Sequence, residues 1–500
     1  KEVLAMASKF SSTNVILVAL LAGALVTVAV FDENCWQVVS TVGRRLSDGY
    51  QQHKDLWPLD SSDYWGFTFV VCGLLVAASG GIGGGGMLVP LLILVFGFSP
   101  KHAIPLSNFT IVGSSITNMV MNIPKRHPDA DRPLVDWDLI LVMEPLTMAG
   151  AIVGAFVSKV LPDWLLVISL VILLAFTTQK TLKKGFSQWQ EETEHFENLK
   201  KSELTKAAEE AELDGEKEEL LAATEVSHDG DAEDGLIHDN NSKATNDDRK
   251  TAGADPELSA LLDSEKATPW DKVQMITVMV VVVVVLNLLK GGGAAFPSPL
   301  GIPCGSYGYW FLTAVVFIWV ISISLYMRNV LIGKWKVKRR LNYRYAKGDV
   351  EWNYRNTIIY PCICFFAGFF AGLFGVGGGI VKGPLMLQMG INPLVASGTV
   401  AVMIMYTSVA ATTMFIAFGT LTWDYALVLF VFGLLATAVG QHGVSILVKK
   451  YKRVSLVSLS IGAVVALSTL LMGLQSIFSL IDMQNNPDET STSSVCGATK

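Results

Sequence analysis

Apolar runs long enough to cross a bilayer recur along this chain, and they constrain its fold more than any other feature. A helix needs about 20 apolar residues to span the hydrocarbon layer. The runs are continuous rather than alternating, and lipid offers no partner to an unpaired backbone group, so they read as helices. Apolar segments lie at about Trp65–Ser79, Met87–Phe98, Ala103–Asn122, Trp137–Lys159, Trp164–Leu182, Val273–Leu289 and Tyr309–Leu331. They continue at Thr357–Leu373, Ile380–Met389, Leu394–Phe418, Trp423–Val448 and Ser455–Leu480. A further run, Val15–Val30, suits a cleaved signal peptide, a signal anchor or a first transmembrane helix. Only 16% of residues are charged, where a soluble domain carries roughly a quarter. The fold expected is all-α: a polytopic transmembrane helical bundle, integral to a membrane that the sequence does not identify.

Charge divides the chain. Residues 1–64 hold the first apolar run and a polar loop, and 65–185 hold the first group of helices. Residues 186–271 are rich in Glu, Asp, Lys and Ala, with few aromatics, and read as an acidic, largely disordered insertion. Within it, Gln190–Thr224 has the pattern of a solvated helix. Two linking helices and a basic loop fill 272–356, a second helical group fills 357–481, and 482–500 is a polar tail.

The two helical groups repeat one another. Gly81-Ile82-Gly83-Gly84-Gly85, Pro90, Gly97-Phe98-Ser99-Pro100 and Ala103 recur as Gly375-Val376-Gly377-Gly378-Gly379, Pro384, Gly390-Ile391-Asn392-Pro393 and Ala396. One single-residue gap reconciles the spacings. Trp137-Asp138 and Gly154 are echoed at the same distance by Trp423-Asp424 and Gly440. Basic residues cluster at Lys125–Arg132, Lys180–Lys184, Lys334–Lys347 and Lys449–Arg453. One threading puts all four clusters inside, as the positive-inside rule asks. It makes the acidic insertion cytoplasmic and places 31–63, 290–308 and the C-terminus outside. An odd number of crossings then separates the copies, so two inverted repeats are expected. A Cys35–Cys304 disulfide is compatible with this threading.

Met87–Phe98 and Ile380–Met389 are too short for ordinary spans and fit broken, Gly-rich half-helices, which in transporters flank the substrate site. Adjacent glycines break a helix. The half-helix that follows presents free N–H groups and the positive end of its dipole, an anion site that needs no charged side chain. Gly83, Gly84, Gly85 and Gly86 form the first candidate surface, and Gly377, Gly378 and Gly379 the second. The alternative is close helix packing, which is the preferred role for Gly150, Gly154, Gly433 and Gly440. A dinucleotide fingerprint is disfavoured: Gly81–Gly86 lacks a preceding strand and an acidic partner, and the second copy breaks the pattern at Ile380.

Lys382 lies three residues past Gly379, where the first copy has Leu88. A cation at membrane depth faces a cavity or a partner, and an anionic substrate is such a partner; snorkelling to the interface is the other option. Ser107, Asn108, Thr110, Ser397 and Thr399 offer further donors, or else bond between helices. Glu144, with Phe430 at its repeat position, is the candidate for a coupling proton or an ion pair.

These motifs resemble the sulfite exporter TauE/SafE family of membrane permeases, in its larger eukaryotic form with a longer middle segment. The likeness covers about Trp65–Leu182 and Thr357–Leu480. It implies transport of sulfur-containing anions such as sulfite or organosulfonates, and fixes neither the anion nor the site residues. The expected partners are a small anionic substrate and the lipid bilayer, with no nucleic acid and no cofactor or metal; oligomeric state is left open. No ATP-binding, His-Glu-x-x-His or Gly-x-Ser-x-Gly motif is present, so the chain reads as a secondary transporter rather than an enzyme. The competing reading is a membrane-embedded sensor or scaffold whose acidic insertion binds a protein partner.

Overall fold

The computed structural model describes residues 56–59, 61–79, 84–128, 130–224, 256–292, 297–343, 345, 348–451, 459, 462, 463, 465–474 and 476. The expected features at Val15–Val30, Cys35, Gly81–Gly83, Asp229–Asp234, Asn246–Arg249 and 482–500 lie outside these residues. Among the described residues the fold is helical, with an isolated bridge between Arg126 and Pro133.

The first repeat contributes α1 (Ser61–Ser79), α2 (Gly85–Leu94), α3 (Pro100–Asn122) and α4 (Trp137–Val160). Then come α5 (Asp163–Thr224), α6 (Pro256–Lys266), α7 (Trp270–Lys290) and α8 (Tyr307–Arg340). The second repeat contributes α9 (Asn356–Phe374), α10 (Gly379–Gln388), α11 (Pro393–Ala417) and α12 (Trp423–Tyr451). Seven of these, α4, the first part of α5, α7, α8, α9, α11 and α12, are long and apolar enough to cross a membrane. The chain is therefore a multi-pass integral membrane protein. α3 has the length to cross at 23 residues but is more polar. Its Ser107, Asn108, Thr110, Ser114, Ser115 and Asn118 are buried inside the bundle.

Local chemistry sets the helix ends. Pro100 and Pro393 open α3 and α11, where a missing N–H costs nothing. Asp136 caps α4 by accepting from the N–H groups of Asp138 and Leu139 at 3.0 and 3.2 Å. Gly375, at φ 69°, ends α9. α5 runs unbroken for 62 residues, merging the apolar span and the charged helix that the sequence reading kept apart. No proline interrupts it.

The two repeats interlock. α9 packs on α4, and its repeat partner α1 packs on α12; likewise α11 packs on α4, and α3 on α12. α3 and α11 pack on each other between them. His102, near the start of α3, has Nδ1 3.0 Å from the carbonyl of Thr420, just past the end of α11. Thr399, near the start of α11, accepts from the N–H of Asp136, at the start of α4, at 3.0 Å. Outside the repeats, α7 and α8 lean on α4 and α11.

The four single glycines pack helices together, as expected. A Cβ on Gly150 or Gly154 would collide with the carbonyl of Phe365 or Phe369 on α9, and one on Gly433 or Gly440 would meet α3 or α1. Gly368 and Gly372 of α9 complete the contact from the other side, against Thr147 and Ala151. This is the small-residue packing that lets membrane helices approach without a hydrophobic drive.

The insertion is more ordered near its end than its composition suggests. Glu257 of α6 pairs with Arg340 at 2.7 Å. Glu265 accepts from Lys338 at 2.7 Å and from Tyr343 Oη at 2.8 Å. These pairs anchor α6 beside the end of α8.

Candidate functional site

Gly84 and Gly378 hold the two half-helices at equivalent points. Each precedes its helix in the left-handed conformation, at φ 73° and 72°, which glycine adopts without strain. The N–H groups of Gly85 and Gly86 in α2, and of Gly379 and Ile380 in α10, precede the first intrahelical bonds, which Met87 and Leu88 make to Gly84 O and Val381 and Lys382 make to Gly378 O. The two loops meet. A Cβ on Gly85 would lie 2.6 Å from the backbone of Val376, so only glycine admits this approach. Gly377 packs on Ile111 and Ile404, and Ser107 Oγ donates to the Gly375 carbonyl at 2.8 Å. Side chains of the first copy thus brace the glycine loop of the second.

Beside this junction lies a buried polar triad. Lys382 Nζ donates to Glu144 Oε2 at 2.9 Å and to Thr407 Oγ1 at 2.7 Å. Thr407 Oγ1 stands 2.5 Å from Glu144 Oε1. Both charged side chains are 0% exposed, so Lys382 does not snorkel. Its stem runs alongside Gly378. Lys382 and Glu144, nominated separately from the sequence, are one ion pair.

The other nominated residues divide. Asn108 is fully buried; its Nδ2 donates to Ile104 O at 3.3 Å, while its Oδ1 has no partner. Thr110 bonds back to Leu106 O at 2.8 Å, within its own helix. Ser397 donates to Leu394 O, and Thr399 contacts Asp136; both stand near the start of α11, away from the glycine junction. Gly83 lies outside the described residues. Thr407 was not anticipated. Its repeat position is Ser114, so a hydroxyl in both copies of one apolar helix was the available signal.

A cavity of about 480 Å³ opens at the end of the bundle where α4, α7 and α11 begin and α8 ends. It is lined by Asp136, Asp138, Lys272, Lys334 and Lys338, and by Leu261 and Glu265 of α6. Lys272 pairs with Asp138 at 2.7 Å, and Arg132 pairs with Asp349. Burial, and then the Asp138 carboxylate, push the Asp136 carboxyl above its ordinary pKa. Two of the basic clusters, Lys125–Arg132 and Lys334–Lys347, contribute to this one end of the bundle. Cys304, in the loop joining α7 to α8 at the opposite end, is disulfide-bonded. Among the described residues, no cluster of His, Cys, Asp and Glu could hold a metal.

Comparison with known proteins adds an independent line. A family model described as sulfite exporter TauE/SafE matches residues 65–208 and 261–476. Sulfite exporter TauE/SafE family protein 3 of Arabidopsis thaliana is 27% identical over 440 residues, covering 85% of this chain and 84% of that protein. Family protein 1 of the same plant is 26% identical, covering 81% and 82%. A shorter stretch of 79 residues is 35% identical to the probable membrane transporter protein YunE of Bacillus subtilis (strain 168), covering 16% of this chain and 26% of that protein. No solved structure matches the chain.

Proposed function

The chain belongs to the sulfite exporter TauE/SafE family, and we propose that it is a secondary carrier of small anions, with sulfur oxyanions such as sulfite or an organosulfonate as the substrate class. The observation that carries this reading is the junction of two glycine-capped half-helix starts, with Gly85 against Val376. Two helix N-termini at one point concentrate positive potential and free N–H groups, which suits an oxyanion of low charge. Gly84, Gly85 and Gly86 would supply donors from one side, and Gly377, Gly378 and Gly379 from the other, with Ser107 and Asn108 lining the flank.

Lys382 supplies the charge that makes entry favourable. In the observed state Glu144 neutralises it at 2.9 Å. A proton taken by Glu144 would release the lysine, and the arriving anion would replace the carboxylate as its partner. Proton and anion then travel together, and the buried charge count never changes. Alternating access would follow from rocking two inverted repeats over the glycine-lined contacts of α4 with α9 and α1 with α12. The opposed runs of α3 and α11 support the inversion.

The test is flux of labelled anions into proteoliposomes, with and without a pH gradient. The reading expects saturable sulfite or organosulfonate flux that a gradient accelerates. Folded protein that moves no anion would overturn it.

A further inference from the structure

We infer that the far end of α7 carries a second oxyanion-binding site, built on Lys290, Asn287 and Tyr309. Lys290 ends α7 and is 1% exposed. Its ammonium sits 4.7 Å from the centre of the Phe156 ring and 5.1 Å from that of Tyr309, and 3.8 Å from Met414 Sδ. None of these groups carries a charge. Lys382 has a carboxylate at 2.9 Å; Lys290 has aromatic faces and a thioether. A buried cation that neither pairs nor snorkels is costly at membrane depth, and cation–π contacts recover only part of that cost.

Two buried polar side chains at the same end of the bundle lack a partner. Asn287, one helical turn earlier on the same face of α7, is 0% exposed, and neither end of its amide has a partner. Tyr309 is also 0% exposed, with an unpartnered hydroxyl. An ammonium, an amide and a phenol supply donors that match a sulfite- or sulfonate-like group. Among the described residues no carboxylate accompanies them, so the charge left to be balanced is positive.

Position gives the site its use. Phe156 and Met414 lie near the ends of α4 and α11, Tyr309 begins α8, and Gly292 lies against Ala417. This is the end opposite the basic cavity, on the side of disulfide-bonded Cys304, and therefore the extracytoplasmic side. The inference rests on the carrier reading above. A second, weaker station there would take the anion from the central junction and shorten its passage out, as multi-site conduction does elsewhere.

The experiment uses the full chain in nanodiscs and in oriented proteoliposomes, with labelled sulfite as the probe. Wild type should bind one more equivalent of sulfite than Lys290→Gln, and Lys290→Arg should regain it. Lys290→Gln should raise the half-saturating concentration about tenfold at the extracytoplasmic face and leave the cytoplasmic value within about twofold. Asn287→Ala and Tyr309→Phe should each weaken the same equivalent, which keeps the test decisive if Lys290→Gln does not fold. Variants with wild-type stoichiometry and outer-face affinity would overturn the site while flux upheld the carrier. Absent flux with the Lys290-dependent equivalent retained would overturn the carrier reading instead.

Discussion

Glu144, Lys382 and Thr407 meet at one place in the bundle; the positions related to them by the sequence repeat hold Phe430, Leu88 and Ser114. The half-helix starts are similar at the two places. Gly84 and Gly378 cap their half-helices alike, and Pro90 and Pro384 sit alike within them. The chemistry differs. Leu88 is 2% exposed in an apolar core, and Phe430 lies tilted against Phe109 with its carbonyl against Gly113. The difference teaches that the repeat builds the scaffold twice but places charge once. In the carrier proposed above, a substrate path between the copies would be polarised toward α10.

The largest expected effect comes from Lys382→Met. It leaves Glu144 buried without its cation, which costs about 3–5 kcal/mol of stability, and it should reduce anion flux by more than tenfold. Thermal unfolding and flux assays read the two separately. The double variant Lys382→Met with Glu144→Met should regain most of the stability but none of the flux. A double variant that transports normally would break the assignment of charge to function.

Glu144→Gln keeps the shape and removes the titrating group. Its flux should become insensitive to a pH gradient, while anion exchange at equal pH persists. Gradient-driven accumulation by this variant would show that the coupling proton travels elsewhere.

The glycine contacts offer a smaller contrast. Gly368→Ala drives a Cβ into the Thr147 carbonyl, and such overpacking costs about 1–3 kcal/mol. Gly440→Ala places its Cβ 2.7 Å from the Leu75 carbonyl on the looser α1–α12 contact and should cost less. Equal losses in unfolding temperature would mean that the two contacts are equally tight.

The mildest change is Leu88→Met, at the mirror position of Lys382. A volume-conserving swap of this kind costs less than about 1.5 kcal/mol, and flux should be unchanged. A large loss would place Leu88 in the path and weaken the polarity. Topology has its own check: Asn240, in a glycosylation sequon of the insertion, should carry no glycan in a secretory-pathway membrane. A shift on endoglycosidase treatment would reverse the sidedness of every site above.

Much of the fold is legible in the sequence. Run length located the seven helices able to cross a membrane, Pro100 and Pro393 marked helix starts, and Gly84 and Gly378 stand where the repeat placed the half-helix starts. The continuity of α5 was not legible, because a change from apolar to charged residues looks like a boundary although the helix backbone tolerates both. The order of α6 was hidden as well. Its acidic residues look solvated in sequence, yet Glu257 and Glu265 find Arg340, Lys338 and Tyr343, which lie far along the chain.

By itself the sequence determined the solvent this chain folds in, its helices, its breaks and its duplication. Those are local properties: burial of about 20 apolar residues, the missing N–H of proline and the free φ of glycine act within a turn or two. Only the tertiary structure decided which charges meet. Glu144 and Lys382 are 238 residues apart, and no local preference pairs them. Helix packing through Gly150, Gly154, Gly368 and Gly372 brings α4 and α9 close. α10, which follows α9, then has Lys382 in reach of Glu144. Among the described residues Lys290 has no carboxylate beside it, and only the packing of Phe156, Tyr309 and Met414 around it shows this.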